Sequence, residues 1–258
     1  MSFLRVAAFL LTAAGVVAGQ GNAKASTSAQ LPEHATLPVI FTRTIAAAHA
    51  RAGDPVEAKT AQPIHLSDGR EVSAGARISG HVIAAKAFTY DQTPYAKQAA
   101  STLEIQFDSL EVDGQKIPLH VSLRAMADPL TMAHTFESME ADYEMDPTLT
   151  LVGGDQVRRI EKEIRNSDED VIGYQKKGGT YAHLIANSNG SINCDGGDTE
   201  QPTARFSASA CGLYGFAQVN LAAADPSHIV LASTHISPRI WKNSVALLET
   251  TTEAASGK

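Results

Sequence analysis

Leu103-Glu104-Ile105-Gln106-Phe107-Asp108-Ser109-Leu110-Glu111-Val112-Asp113-Gly114-Gln115-Lys116-Ile117-Pro118-Leu119 is the stretch on which the reading turns. Leu103, Ile105 and Phe107 alternate with Thr102, Glu104, Gln106 and Asp108, a period of two with one apolar face, which is the pattern of a half-buried strand. Asp113-Gly114 then separates Leu110 and Val112 from Ile117, Leu119, Val121 and Leu123. That dipeptide favours the tight turn whose twist suits an antiparallel hairpin.

Outward from this hairpin the pattern repeats. Leu37, Val39 and Phe41 alternate, as do Ile78, Gly80, Val82 and Ala84. Asp68-Gly69 is a second hairpin turn, and Gly53-Asp54-Pro55 turns the chain into a strand at Val56 to Thr60. Gly80, inside a strand pattern, marks a bulge or a close approach of backbones. Residues 37–127 therefore read as a compact antiparallel region. Strand signals return at Tyr181–Ala186, Ala204–Ser209, Val219–Ala222, Ile229–Ala232 and Ser244–Leu248.

Between these halves, residues 128–180 lose the alternation and gain charge. Asp155 is placed to cap a helix near 156–166, with Val157, Ile160 and Ile164 on one face and Glu161 paired with Arg165. Met126, Met132, Met139 and Met145 lie in a loop or a short amphipathic helix, spaced as gap-filling contacts rather than as metal ligands. The expected class is mainly β, an antiparallel β-barrel or sandwich with a charged, partly helical insertion, closed by strands over 181–249 and followed by a disordered tail at 250–258.

The N-terminus carries Arg5 and then an apolar run from Val6 to Ala18, broken only by Thr12 and Gly15. It falls short of the roughly 20 residues a membrane-spanning helix needs, and it precedes the small residues of Ala23-Lys24-Ala25. Residues 1–25 read as a signal peptide cut between Ala25 and Ser26, or else after Gly19, with 26–36 a flexible segment. The leader takes Arg5 and Lys24 and no acid, so 21 basic against 28 acidic residues becomes 19 against 28, or −9. An acidic surface repels phosphate backbones and anionic lipid, so no nucleic-acid partner is expected, and no membrane span after leader removal. Export leads to the periplasm or the extracellular space.

Export also sets the redox reading of Cys194 and Cys211. A disulfide is expected, a metal site or two unpaired buried thiols being the alternatives. Asp195, Asp198 and Glu200 around Gly196-Gly197 form a weak calcium candidate, set against a turn-rich loop stapled by the bridge. The nine histidines fall singly, Gly-x-Ser-x-Gly is missing, and Gly153-Gly154 and Gly178-Gly179 lack a phosphate-loop context, so no catalytic residue, metal or cofactor is expected. Trp241, the only tryptophan, precedes the final strand and reads as a core residue, an anchor for a sugar or a partner being the alternative.

Leu37–Thr42, Ala52–Ala58, Val72–Val82, Leu103–Leu110 and Asp113–Leu119, taken in order, resemble the β-barrel domain of TrbI-type proteins, subunits of conjugation and type IV secretion envelope complexes. The same order is similar to that of small exported bacterial proteins of unknown function, whose closing strands Cys211-Gly212-Leu213-Tyr214-Gly215-Phe216 through Leu248 resemble. The resemblance implies a non-catalytic envelope protein that binds another envelope component or self-associates. The alternative is a secreted hydrolase or carbohydrate-binding β protein with a site built from loops 187–202 and 128–150.

Overall fold

The computed structural model describes residues 29–94, 97–135, 148–190, 192–222 and 228–251. The first half holds β1 (Thr36–Phe41), β2 (Ile45–Ala46), β3 (Pro55–Thr60), β4 (Ile64–His65), β5 (Glu71–Val72), β6 (Arg77–Lys86), β7 (Ser101–Val112), β8 (Gln115–Pro118) and β9 (Val121–Ala127). A short helix, α1 (Pro129–His134), is followed by β10 (Thr148–Thr150), β11 (Gln156–Arg158), β12 (Glu163–Arg165), β13 (Val171–Lys176), β14 (Gly179–His183), β15 (Asn187–Asn189), β16 (Ile192–Cys194) and β17 (Glu200–Ala204). The chain ends on β18 (Gly212–Tyr214), β19 (Asn220–Leu221), β20 (Ile229–Ser233), β21 (Arg239–Ile240) and β22 (Val245–Thr250).

The strands form two main sheets. A ten-stranded sheet runs β18-β9-β22-β1-β3-β6-β7-β20-β19, with β8 paired to β7. Its pairs are antiparallel except for β18, which lies parallel to β9. A six-stranded antiparallel sheet runs β10-β11-β12-β13-β14-β17. Three two-stranded ribbons, β15-β16, β2-β21 and β4-β5, complete the described part.

The alternation read in β7 is realised: Leu103, Ile105, Phe107, Leu110 and Val112 are buried. The rings of Phe41 and Phe107 pack with centroids 5.8 Å apart inside this core. At the β7–β8 turn, Asp113 and Gly114 both take positive φ, 51° and 77°, the conformation that a two-residue hairpin of this twist requires. Gly80 serves both purposes expected of it. The β6–β7 register shifts between Ser79 and Gly80, and a Cβ there would sit 2.0 Å from the Gln106 carbonyl oxygen.

Three central strands are buried on both faces. In β22, Ala246 and Leu248 enter the first core, while Val245 and Leu247 enter a second cluster with Val152, Phe206 and Ala210 on the opposite side. β9 divides likewise, Met126 inward and Ala125 and Ala127 outward. In β1, Leu37, Val39 and Phe41 face the first core, and half-buried Ile40 packs against the second cluster. Continuous apolar runs such as Val245–Leu248 are what a strand covered on both sides demands.

Several expectations are corrected. No helix forms over 156–166; the segment is β11, a turn and β12, with Val157 paired to Ile164 and both buried. Ile160 sits at the turn, 66% exposed, and Lys162 takes φ 59°. Apolar side chains three apart around a turn with one left-handed residue are served as well by a hairpin as by a helix, and pairing with the next strand, β13, decides for the hairpin. Arg165 pairs with Glu163 rather than with Glu161. β14 and β17 belong to the second sheet, so the chain returns to the first sheet only at β18. Within 187–202, read as a turn-rich loop, β15 and β16 pair as antiparallel strands.

The stretch expected to be flexible is anchored where it is described. Ala35 and Thr36 are buried, and the Ala35 carbonyl accepts from the Thr250 N–H while the Ala35 N–H donates to Thr250 Oγ1, Thr250 being a buried residue of β22 rather than the start of a tail. The signal peptide, with Ala25 and Ser26, and residues 252–258, Met139 and Met145 lie outside the described residues. No helix among the described residues is long and apolar enough to cross a membrane.

Candidate binding site

The seam between the two sheets is fastened by polar side chains. Arg124, on β9, is an arginine set in the apolar run Val121–Ala127, and its side chain is 0% exposed. Its Nη1 donates to the Asp195 carbonyl at 2.5 Å, and its Nη2 to the carbonyls of Ile185 at 2.8 Å and Ala208 at 3.1 Å. The Glu249 carboxylate lies 3.6 Å away. Burial pushes the Glu249 carboxyl up from its ordinary value, and the Arg124 charge opposes that rise. One side chain thus closes the ends of three loop carbonyls that would otherwise be desolvated without partners.

Beside it, Cys194 and Cys211 are joined in a disulfide with both residues buried. The bridge ties the β15-β16 hairpin to the start of β18. On the chain-entropy model, closing a loop of this 17-residue separation stabilises by roughly 3 kcal/mol.

One further fastener acts at another point of the seam, and a buried acid braces the second sheet behind it. Buried Gln62, just after β3, donates from Nε2 to the Thr180 carbonyl at 3.1 Å and accepts from the Ala204 N–H at 2.6 Å, so it spans β14 and β17. The tip of the β13-β14 hairpin comes close enough for this because Gly178, at φ 101°, has no Cβ to strike the Pro63 ring, which would lie 2.7 Å away. Buried Asp155 accepts from the Ala208 N–H at 2.8 Å, and its own N–H donates to Ser207 Oγ at 2.8 Å. Burial pushes its carboxyl up, against the hydrogen bonds from Ala208 and Ser207. Asp155 is thus a cap for the 205–210 turn and not for a helix.

Between these fasteners the sheets part, leaving a cleft of about 630 Å³. Its lining is mostly apolar, with Ile40, Met132, Leu149, Leu151, Val157 and Val245, and carries Lys59, Gln62, Gln175, Asn243 and Arg205 at its polar points. Arg205 donates to the Thr135 carbonyl at 2.9 Å, at the end of α1. An apolar lining with a few convergent polar groups in this size range is the general form of a small-ligand or peptide site.

The calcium candidates do not gather. Asp195 offers its carbonyl to Arg124, and the Glu200 carboxylate pairs with Lys176 across the second sheet. Among the described residues no three His, Cys, Asp or Glu side chains converge as a metal site. Trp241 is 45% exposed, with the Arg239 guanidinium 4.4 Å from its ring centroid, and not in the core. His81 pairs with Asp108 at 2.9 Å and His228 with Glu104 at 3.0 Å, both at the outer surface of the first sheet. Gln62 and Arg124 went unread as fasteners, although an arginine inside Leu119–Ala127 is itself a signal that a strand face meets something polar.

Compared with protein-family models, with curated proteins and with solved structures, the chain matches none.

Proposed function

We propose that this protein is an exported, non-catalytic component of the cell envelope, periplasmic or extracellular, whose first sheet is a TrbI-like β-barrel serving as a binding or structural module. The observation that carries the reading is the relation between the two ends of the ten-stranded sheet. β18 at one end and β19 at the other are separated by residues 215–219 and lie against each other. Among the described residues no ladder joins the two end strands, but their approach supports a barrel-like curvature, the arrangement by which a sheet hides its edges. The buried disulfide supports an oxidising compartment. The inter-sheet cleft supports a binding role, with envelope components or a second copy of the chain as partners.

Fractionation of cells making a C-terminally tagged chain, followed by N-terminal sequencing and non-reducing mass spectrometry, tests this. The expected product lies outside the cytoplasm, begins at Ser26 or Gln20, and is two hydrogens lighter than its thiol form. A chain kept in the cytoplasm, starting at Met1 with both thiols free, overturns it. In-cell cross-linking of the exported form is expected to give a discrete adduct with an envelope protein or with itself.

A further inference from the structure

A second concavity, of about 480 Å³, lies on the other flank of the second sheet, between β14-β17 and the β4-β5 ribbon. Tyr181 and Pro202 form one wall, and His65 and Glu71 stand on the facing one. Tyr181 and Pro202 are register partners across β14 and β17, and Tyr174 is the partner of Tyr181 across β13. The row Tyr174-Tyr181-Pro202 therefore crosses three strands on one face, its directly opposed side chains within contact reach. Tyr174 is 46% exposed and Tyr181 half-buried.

The surroundings hold this row in place and give it a polar border. The Tyr181 hydroxyl donates to the Pro63 carbonyl at 3.4 Å. The Lys176 ammonium lies 5.3 Å from the Tyr181 ring centroid and pairs with the Glu200 carboxylate. Gln201 has its amide oriented by the Thr36 N–H and by Thr199 Oγ1.

We propose that this groove binds a neutral oligosaccharide laid along Tyr181 and, beyond the groove's rim on the neighbouring strand, Tyr174. The inference rests on the binding-module reading above and names the ligand class of one of its surfaces. Tyrosine rings present apolar faces with polar tips, which suits the C–H face of a sugar ring. The border mixes Lys176 and His65 with Glu200 and Glu71, donors and acceptors of both signs. That balance fits a ligand dense in hydroxyls better than an ion of either charge.

Titration of the mature protein with cellotetraose, chitotetraose and maltotetraose, each to about 10 mM and followed by amide chemical shifts, is the test. At least one sugar is expected to shift the amides of residues 174–181 and 200–202 together. Tyr181→Ala is expected to weaken that sugar at least tenfold, and Tyr181→Phe, which keeps the ring, less than threefold. Tyr174→Ala, at an exposed position, gives a fall in affinity independent of any folding defect at Tyr181. Lack of shifts with all three sugars overturns the inference, as does equal binding by the Tyr181→Ala and Tyr174→Ala variants. The envelope cross-link is scored separately: if it persists while no sugar binds, the glycan assignment fails and the binding-module reading stands.

Discussion

The first sheet and the second are held by different chemistry. The first encloses one large apolar cluster, from Leu37 through Leu248, with aromatic contact at Phe41 and Phe107. The second has a smaller cluster of its own, with Leu149, Leu151, Val157, Ile164, Ala182 and Ala208, and it is joined to the first by Arg124, Gln62 and a disulfide around the apolar contacts of Val152, Phe206 and Ala210 with Val245 and Leu247. Apolar burial is non-directional and tolerates repacking. Buried polar contacts specify one placement and fail abruptly when a partner is removed. The first sheet is accordingly a scaffold, and the second is an element set upon it in a single orientation.

Two substitutions of equal expected size separate these regimes. Phe107→Ala should cost about 3–5 kcal/mol through a cavity in the first core. Arg124→Ala should cost about 3–5 kcal/mol through an unpaired, half-buried Glu249 and three carbonyls without donors. Hydrogen exchange tells them apart: Phe107→Ala should lower protection across β1, β6 and β7, and Arg124→Ala first across 181–211. Loss of protection everywhere in both variants would erase the distinction.

Replacing Cys194 and Cys211 with serine should cost roughly 3 kcal/mol, measured as a fall in denaturation midpoint that dithiothreitol reproduces in the native chain. Gln62→Ala should cost about 1–3 kcal/mol by leaving the Ala204 N–H and the Thr180 carbonyl unpaired, with faster exchange at Ala204 as its signature.

The smallest effect concerns pH. The Asp155 carboxyl is raised above its ordinary value of 3.8, first by burial, with the Ala208 and Ser207 hydrogen bonds opposing. The folded state therefore binds this proton more tightly than the unfolded chain. The stabilisation is fully present below 3.8 and is lost as pH rises through the raised value. Asp155→Asn should remove that slope, so the melting-temperature difference between native and variant should tilt toward the native protein on acidification. A difference flat with pH would remove Asp155 from the account.

What could be read from the chain follows the same division. Period-two alternation announces β7, and Asp113-Gly114 its turn, because a half-buried strand writes its geometry into consecutive residues. β11 and β12 are three residues each, too short for any period to declare itself, so Val157, Ile160 and Ile164 mimic a helical face. The doubly covered run Val245–Leu248 reads as a strand but does not say what covers it. The fasteners were hidden for a related reason. Gln62 meets Thr180 and Ala204 from more than a hundred positions away, and nothing local marks such a meeting. The Cys194–Cys211 bridge was legible because thiols have few other uses once outside a reducing cytosol.

The place of β22 sets the order in which the protein can be made. It lies between β1 and β9, with Thr36 opposite Glu249, so the first strand of the sheet waits for the last. Pairing across nearly the whole chain is slow to form, and until β22 arrives the central wall lacks its middle. Were the chain exported as proposed, crossing the membrane as an unfolded thread, it would thereby be kept from setting into its final shape while its C-terminal strand was still on the far side. Completion would then be deferred to the compartment in which the cysteines are also oxidised.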